Sequence, residues 1–327
     1  MSAMTKRLPS ISVVVPIHNS MEYIDECLAS IHAQSRSPRE VIAVDDASTD
    51  GTVVHVRSRY PQIHVRENSE AGGQGHSRNM GIAAAQGDYV ALCDHDDVWA
   101  PDHLEKVAGL LDRFPETPLA FSRVGLIGGA SGCWPAGAGG IPELPTQMFV
   151  SLMRNNVIIP TGTVFRKALW SEAGPFDESR PFGVDDYRFY LEAALRYPFA
   201  GRREPTAFWR IHGGQASKSR GPQVVHAFKH RLGMLQRYRE RLQEDGRYEP
   251  ALHAVVRCWE EHIEEAWATR NLRYLRRMVW YGLRQNMLKS ATLSYVWKAG
   301  LPKFVIGFLM KQATIEPTRK IIIKADG

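Results

Sequence analysis

Three apolar runs near the start of the chain constrain its fold most strongly. They are ISVVVPI (11–17), EVIAVDD (40–46) and GDYVALCD (87–94), and polar residues bound each of them. Short continuous apolar runs are typical of parallel strands that are buried on both faces of a sheet. Helical periodicity fills the intervals between the runs. This part of the chain therefore predicts alternating βαβ units and a doubly wound, mostly parallel α/β sheet.

Local signals also predict two helix starts. Asn19, with Glu22 three residues later, reads as a capping box for the helix after the first strand. Pro101 predicts the start of a helix that runs to about Phe114, because proline is favoured in the first turn.

Polar residues follow each of the three predicted strands. They are His18 and Asn19, Asp45 and Asp46, and the cluster Asp94–Asp97. In open α/β sheets, ligands bind outside the carboxyl ends of the parallel strands. A solvated turn would explain any one of these strand ends alone. The three together predict one polar crevice.

The cysteines and the apolar segments restrict the cellular compartment. The four cysteines of the 327-residue chain lie far apart and include no CxxC pair. Neither a disulfide framework nor a zinc site is indicated, and a reducing cytoplasm fits. The first apolar run is too short for a secretory signal, and no run reaches the roughly 18 apolar residues of a membrane span. We expect a cytoplasmic protein, soluble or peripheral on a membrane.

The basic excess of the chain lies in its C-terminal third. Residues 222–327 contain 19 lysines and arginines against 10 aspartates and glutamates, whereas residues 1–221 contain 22 against 25. Helical periodicity dominates after Pro222. We therefore predict an α/β domain over residues 1–221 and a basic helical appendage over residues 222–327.

The helical region also carries aromatic residues among its basic ones. Residues 266–315 contain no acidic side chain, and Trp and Tyr are interleaved with Arg and Lys there. Such helices suit an anionic membrane surface. The alternative is an appendage that packs its aromatics on the first domain or on a second subunit of a homo-oligomer. No base-reading module is visible, so nucleic acid is not expected as a partner.

Asp94 and Asp96 form a D-x-D pattern at the end of the third predicted strand. Carboxylates at such a position suit Mg²⁺ or Mn²⁺, which prefer oxygen ligands and retain sites for phosphate. The alternative is an Asp-rich turn that caps the helix after Pro101.

Six segments occur in an order and spacing that indicate a family. They are SVVVPIHNS, VIAVDDASTDGT, AGGQGHSRNMGIAAAQGDYVALCDHDDVWAP, FRKALWSEAGPFDES, GVDDYRFYLEAALR and WRIHGGQAS. Over residues 9–217 the chain resembles the family 2 glycosyltransferases of the GT-A (Rossmann-like) fold. The resemblance implies an inverting enzyme that uses a nucleotide-linked sugar, most commonly a UDP-sugar.

The resemblance also implies a set of donor-binding residues. Asp46 would hydrogen-bond the uracil, Arg78 would lie near the base or the diphosphate, and Asp94 would contact the ribose or the metal. Thr161 would border the donor sugar or the acceptor. The full set of predicted nucleotide-sugar contacts is Pro16, Ile17, His18, Asn19, Asp46, Arg78, Asp94, His95, Thr161 and Arg210.

The metal would be Mn²⁺ or Mg²⁺ by the same resemblance. Asp96 would be its principal ligand, with Asp94 and His212 as further ligands. A lone R-x-H pattern around His212 would otherwise indicate a structural histidine. Asp97 either orients the metal ligand or caps the following helix, and we favour the cap.

The base must come from a different part of the chain. Inverting transfer needs a carboxylate that removes the proton of the acceptor hydroxyl. In the family this is the Asp of a Glu-Asp pair at a helix start, which corresponds here to Asp185-Asp186. We assign Asp186 as the base and Asp185 as the second candidate. Both carboxylates could instead only favour the helix N-terminus electrostatically.

The resemblance implies transfer of a sugar from a UDP-sugar to a saccharide or lipid-linked acceptor, and by analogy a role in cell-envelope polysaccharide synthesis. A sugar nucleotidyltransferase is one alternative, because AGGQGHSRN is Gly-rich. Its Gly-rich loop would, however, be expected directly after the first strand. A non-catalytic nucleotide-sugar-binding subunit is another alternative. The presence of both the metal aspartates and the Asp185-Asp186 pair argues against it.

Overall fold

The three apolar runs form neighbouring strands of one sheet. The computed structural model describes residues 7–136, 140–179, 184–214 and 220–284, and within these ranges the sheet has nine strands. The strands are β1 Ile11–Ile17, β2 Glu40–Asp45, β3 His64–Glu67, β4 Tyr89–Leu92, β5 Val98–Trp99, β6 Leu119–Gly128, β7 Cys133–Trp134, β8 Thr163–Arg166 and β9 Phe199–Ile211. Their order is β3-β2-β1-β4-β8-β6-β9-β5, and β7 pairs with β6.

The strand directions confirm the α/β fold predicted from the sequence. The strands β3, β2, β1 and β4 are mutually parallel, and so are β6 and β9. The antiparallel strands enter in the second half: β8 runs against β4 and β6, β5 runs against β9, and β7 runs against β6. The strands β3, β2, β1 and β4 form a parallel block, and the polar residues predicted from the sequence follow β1, β2 and β4 of this block.

Helices cover both faces of this parallel block. The helices up to residue 196 are α1 Ile24–His32, α2 Thr52–Arg59, α3 Gly73–Ala84, α4 His103–Arg113, α5 Phe149–Arg154, α6 Lys167–Ala173 and α7 Asp185–Arg196. Val13 and Val15 of β1 share a core cluster with buried residues of α1 and α4. Val14 lies against Gly81 of α3. Successive residues of a strand point to opposite faces, so α3 lies on the face opposite α1 and α4.

The predicted capping box at Asn19 is wrong. The helix α1 begins at Ile24, and its N-cap Tyr23 makes no side-chain cap hydrogen bond. Asn19 has a positive φ of 48°, and its Oδ1 accepts from the Thr49 amide at 2.9 Å. The side chain therefore ties the loop after β1 to the loop after β2 instead of starting the helix. The second predicted start is two residues early, because α4 begins at His103 with Asp102 as N-cap.

The chain divides into two units. One contains residues 1–152 and 156–218, and the other contains residues 153–155 and 219–327. The helices of the second unit are α8 Arg220–Arg237, α9 Arg239–Glu244, α10 Tyr248–Ala268 and α11 Leu272–Arg284. Among the described residues, no helix combines the length and apolarity needed to cross a bilayer.

Three apolar residues of α11 are packed inside the second unit. Leu275, Met278 and Val279 are buried, and the indole Nε1 of Trp259 on α10 donates to the Met278 carbonyl at 3.1 Å. Arg273 and Arg277 are exposed. Over these residues α11 therefore presents charge and not apolar surface to solvent. Residues 285–327, which hold the rest of the predicted basic and aromatic region, lie outside the described residues.

Candidate active site

The polar strand ends meet at one cavity, as predicted. Its volume is about 690 Å³, which lies in the range of small-molecule sites. The residues around it end or follow β1, follow β2, β4 and β9, or lie at or near the start of α3, and all belong to the first unit. They are Pro16, Ile17, His18, Asn19, Glu22, Tyr23, Asp46, Ala71, Gly73, Gln74, Ser77, His95, Asp96, His212, Gly213 and Gly214.

Asp46 lies at the cavity wall and is held by backbone amides. Its Oδ1 accepts from the Gly72 amide and from Asn68 Nδ2, both at 2.8 Å, and its Oδ2 accepts from the Gly73 amide at 2.9 Å. Gly73 has φ of +85°, a conformation that favours glycine. Burial would raise the pKa of Asp46, but these hydrogen bonds outweigh it and lower the pKa. Asp46 is thus a fixed, ionised acceptor.

His18 and His95 contact the backbone at the cavity edge. The Nδ1 of His18 donates to the Asp46 carbonyl at 2.7 Å, and the Nδ1 of His95 donates to the Pro16 carbonyl at 3.1 Å. These bonds join the strand ends that line the cavity. His95 and the Pro16–Asn19 segment, all predicted donor contacts, are therefore brought together.

Asp96 and His212 are paired at the cavity wall although they are 116 residues apart in sequence. The Nε2 of His212 lies 2.9 Å from Asp96 Oδ2. The His212 ring also packs at 4.9 Å from the ring of Tyr23. Gly214 N donates to His212 Nδ1 at 3.3 Å, so in this arrangement the neutral imidazole carries its proton on Nε2 and donates it to Asp96.

The Asp96–His212 pair fits a divalent cation by its chemistry. A carboxylate oxygen and an imidazole nitrogen 2.9 Å apart match two adjacent ligands of one ion at about 2.1 Å each. The carboxylate suits Mg²⁺ or Mn²⁺, and the imidazole favours the transition ion. Ligation by Nε2 would require the imidazole proton to move to Nδ1, which would displace the Gly214 contact.

Arg210 holds the backbone of Asp96 by a hydrogen bond. Its Nε donates to the Asp96 carbonyl at 2.9 Å, and its Nη2 donates to Glu26 Oε2 at 2.5 Å. Its guanidinium also lies 5.1 Å from the ring centre of Tyr23. Arg210, a predicted donor contact, thus holds the loop that carries Asp96. Sequence reasoning missed its neighbours Tyr23 and Glu26 because no motif marks them.

The assignment of Asp97 as a helix cap is wrong. Asp97 is buried, and its Oδ1 accepts from the Arg210 amide at 3.0 Å. The N-cap of α4 makes no side-chain cap bond. Burial, together with Asp96 and Asp94, raises the pKa of Asp97 well above its usual range. Asp97 therefore fixes the end of β9 against the loop that carries Asp96.

The structure places four predicted donor contacts away from the cavity wall. Among the described residues, the cavity lining does not include Arg78, Asp94, Thr161 or Arg210. The Nη2 of Arg78 donates to Asp94 Oδ1 at 2.6 Å, and its Nη1 donates to Asp185 Oδ2 at 2.5 Å. Thr161 is buried, and its carbonyl accepts from Trp99 Nε1 at 2.7 Å. The charge of Asp94 is thus offset by Arg78.

Asp185 and Asp186 begin α7, as predicted, and both are buried. Burial and the neighbouring charges of Asp185 and Asp94 raise the pKa of Asp186 to about 7, although Arg78 opposes them. A carboxyl group with this pKa can lose and gain a proton near neutral pH, as a general base requires.

Sequence comparisons match this chain to sugar-transferring proteins. The profile described as Glycosyl transferase family 2 matches residues 12–172. The putative teichuronic acid biosynthesis glycosyltransferase TuaG of Bacillus subtilis is 40% identical over 126 residues, which cover 37% of this chain and 48% of TuaG. The uncharacterized glycosyltransferase YwdF of the same organism is 30% identical over 189 residues, which cover 57% of this chain and 69% of YwdF. This chain thus matches about half the length of TuaG.

Solved structures share the fold. Staphylococcus aureus TarS 1-349 in complex with UDP superposes with a TM-score of 0.64 at 17% identity, covering 93% of this chain and 88% of that one. The mannosyltransferase PcManGT from Pyrobaculum calidifontis in complex with GDP-Man and Mn²⁺ superposes with a TM-score of 0.57 at 21% identity, covering 95% of this chain and 81% of that one. At these identities the likeness establishes the GT-A type α/β fold.

Proposed function

We propose that this chain, which belongs to glycosyltransferase family 2, is an inverting, metal-assisted transferase that moves a sugar from a UDP-linked donor to a saccharide or lipid-linked acceptor. One observation carries the proposal. A single unit combines a cavity bounded by Asp46 and the Asp96–His212 pair with a buried carboxylate, Asp186, whose pKa is raised to about 7.

In the proposed reaction, Asp186 accepts the proton of the acceptor hydroxyl as that oxygen attacks the anomeric carbon of the donor sugar. The bond from the anomeric carbon to the diphosphate oxygen breaks on the opposite face, so the configuration inverts and the nucleoside diphosphate leaves. Asp96 and His212 would hold Mn²⁺ or Mg²⁺, which when bound offsets the charge of the diphosphate. Asp46 and the Pro16–Asn19 segment orient the nucleotide.

The donor nucleotide and the pathway are the finer parts of the proposal. UDP is favoured because two TarS structures contain UDP or UDP-GlcNAc, whereas the PcManGT structure contains GDP-Man. The name of TuaG refers to teichuronic acid biosynthesis, which supports a role in cell-envelope polysaccharide synthesis. The other candidate donor is therefore a GDP-sugar.

A donor screen tests the proposal. We expect UDP-sugars, tested with Mn²⁺ or Mg²⁺ and with membrane extract as acceptor, to release UDP, and EDTA to abolish the release. Analysis of the anomeric configuration of the product checks inversion. Release of GDP alone would reject the donor assignment. Tight nucleotide binding without turnover on any acceptor would favour a non-catalytic binding subunit.

We also propose that the basic helical region attaches the enzyme to the cytoplasmic face of an anionic membrane. The exposed Arg273 and Arg277 of α11 support an electrostatic contact, because Leu275, Met278 and Val279 of that helix are already buried. We expect flotation with phosphatidylglycerol-containing vesicles at low salt, loss of flotation in high salt as the charges are screened, and no flotation with pure phosphatidylcholine. A protein that forms a dimer at both low and high salt and floats with neither kind of vesicle would instead favour a role of the region in a homo-oligomer.

A further inference from the structure

Arg78 joins two parts of the first unit that the proposed reaction uses separately. Its guanidinium donates to Asp94, which follows β4, and to Asp185, which begins α7, at 2.6 and 2.5 Å. Only 2% of the Arg78 side chain and 2% of the Asp185 side chain are exposed. Buried charges of this kind persist only when they are paired. The guanidinium of Arg78 therefore holds the end of β4, which carries Asp94, to the start of α7, which carries Asp185 and the proposed base Asp186.

The close approach of α3 and α7 makes this contact possible. Gly75 precedes Arg78 by three residues, so both lie on one face of α3. A Cβ atom added at Gly75 would lie 3.0 Å from Asp185 Cβ and 2.5 Å from the Asp177 carbonyl oxygen. Glycine at this position lets the start of α7 approach within reach of the guanidinium.

We propose, on the basis of the transferase function proposed above, that Arg78 is a positioning residue. It binds Asp185 as an ion-pair partner, and it thereby leaves the adjacent Asp186 as the carboxylate that takes the acceptor proton. Two neighbouring buried carboxylates cannot both be ionised at low cost, so a cation in contact with one of them assigns their roles.

The charges around Asp186 agree with this role. The titratable groups that act on it are Asp185 and Tyr190 on α7, Arg78 on α3 and Asp94 after β4. Asp185 and Asp94 raise the pKa of Asp186, and Arg78 lowers it. Without the guanidinium, the charges of Asp185 and Asp94 would raise the pKa of Asp186 with no opposing cation. Asp186 would then be ionised only at higher pH.

The test compares Arg78→Gln with Arg78→Lys, using kcat, the Kd of UDP and the pH profile of each. We expect Arg78→Gln to move the acidic limb of kcat up by about one pH unit or more and to lower kcat at pH 7 by about fivefold or more. The Kd of UDP should change by less than about threefold, because Arg78 lies away from the cavity wall. Arg78→Lys should keep the limb near its wild-type position, yet lower kcat, because an ammonium lacks the planar fork that reaches two carboxylates.

The double variant Arg78→Gln/Asp185→Asn separates positioning from folding. It removes one charge of each sign, so the limb and the melting temperature should return toward wild type. If Arg78→Gln lowers the melting temperature but leaves the acidic limb of the kcat–pH profile at its wild-type position, Arg78 has only a structural role and the inference is overturned. A weaker Kd of UDP with an unchanged kcat would overturn it in favour of a nucleotide contact. A wild type that transfers no sugar from any donor rejects the proposed function itself, before the variants are compared.

Discussion

Asp186→Asn is expected to lower kcat by about 10²- to 10⁴-fold, the usual contribution of a general base. Asparagine keeps the shape of the side chain but cannot accept the acceptor proton. The Kd of UDP should stay close to its wild-type value, because the cavity lining formed by the described residues does not include Asp186. Steady-state transfer rates and UDP titration measure the two quantities.

The same residue predicts the pH dependence of the reaction. The base acts in its ionised form, and burial raises the pKa of Asp186 to about 7. Transfer should therefore fall about tenfold for each pH unit below 7 and level off above it. In Asp186→Asn the residual transfer should no longer fall in this way below pH 7.

Stability and the neighbouring carboxylate provide the controls. A carboxyl group whose folded pKa is raised destabilises the folded protein increasingly from its unfolded pKa of 3.8 up to about 7, and fully above that. Asp186→Asn should therefore melt no lower than wild type at pH 8, which separates lost chemistry from lost folding. Asp185→Asn should melt lower, because the buried Arg78 loses one of its two carboxylate partners. A larger loss of kcat in Asp185→Asn than in Asp186→Asn would transfer the role of base to Asp185.

Asp96→Ala is expected to lower kcat by about three orders of magnitude, because a metal at this site supplies several kcal/mol of charge stabilisation. The variant leaves His212 without the carboxylate that lies 2.9 Å from its Nε2. Mn²⁺ should no longer stimulate the residual activity, and Mn²⁺ affinity measured in the presence of UDP should fall.

Asp102→Asn is the matched control for Asp96→Ala. Asp102 lies six residues further on, is 41% exposed and pairs with Lys106 on the same helix. Exposed pairs of this kind contribute at most about 1 kcal/mol, so activity and Mn²⁺ dependence should remain those of wild type. Wild-type activity that survives EDTA, together with an active Asp96→Ala, would reject the metal site.

The strand ends of the candidate site could be predicted because each depends on local patterns. Apolar runs place His18, Asn19, Asp46 and Asp96 at the carboxyl ends of β1, β2 and β4, and the structure brings them to one cavity. Asp97 could not be predicted. Whether a carboxylate at a strand end caps the next helix or accepts an amide of β9 depends on where β9 lies, and β9 begins about a hundred residues later in the chain.

By itself, the sequence determined the α/β fold, the parallel direction of the first strands and the helix start that carries Asp185 and Asp186. These follow from hydrophobic periodicity and residue type over a few neighbouring positions. Only the tertiary structure decided which charges meet. Arg78 reaches Asp185 across 107 residues, and His212 reaches Asp96 across 116. Such pairs depend on how closely helices and strands from distant parts of the chain approach. That approach is set by packing of the whole unit, and no local pattern encodes it.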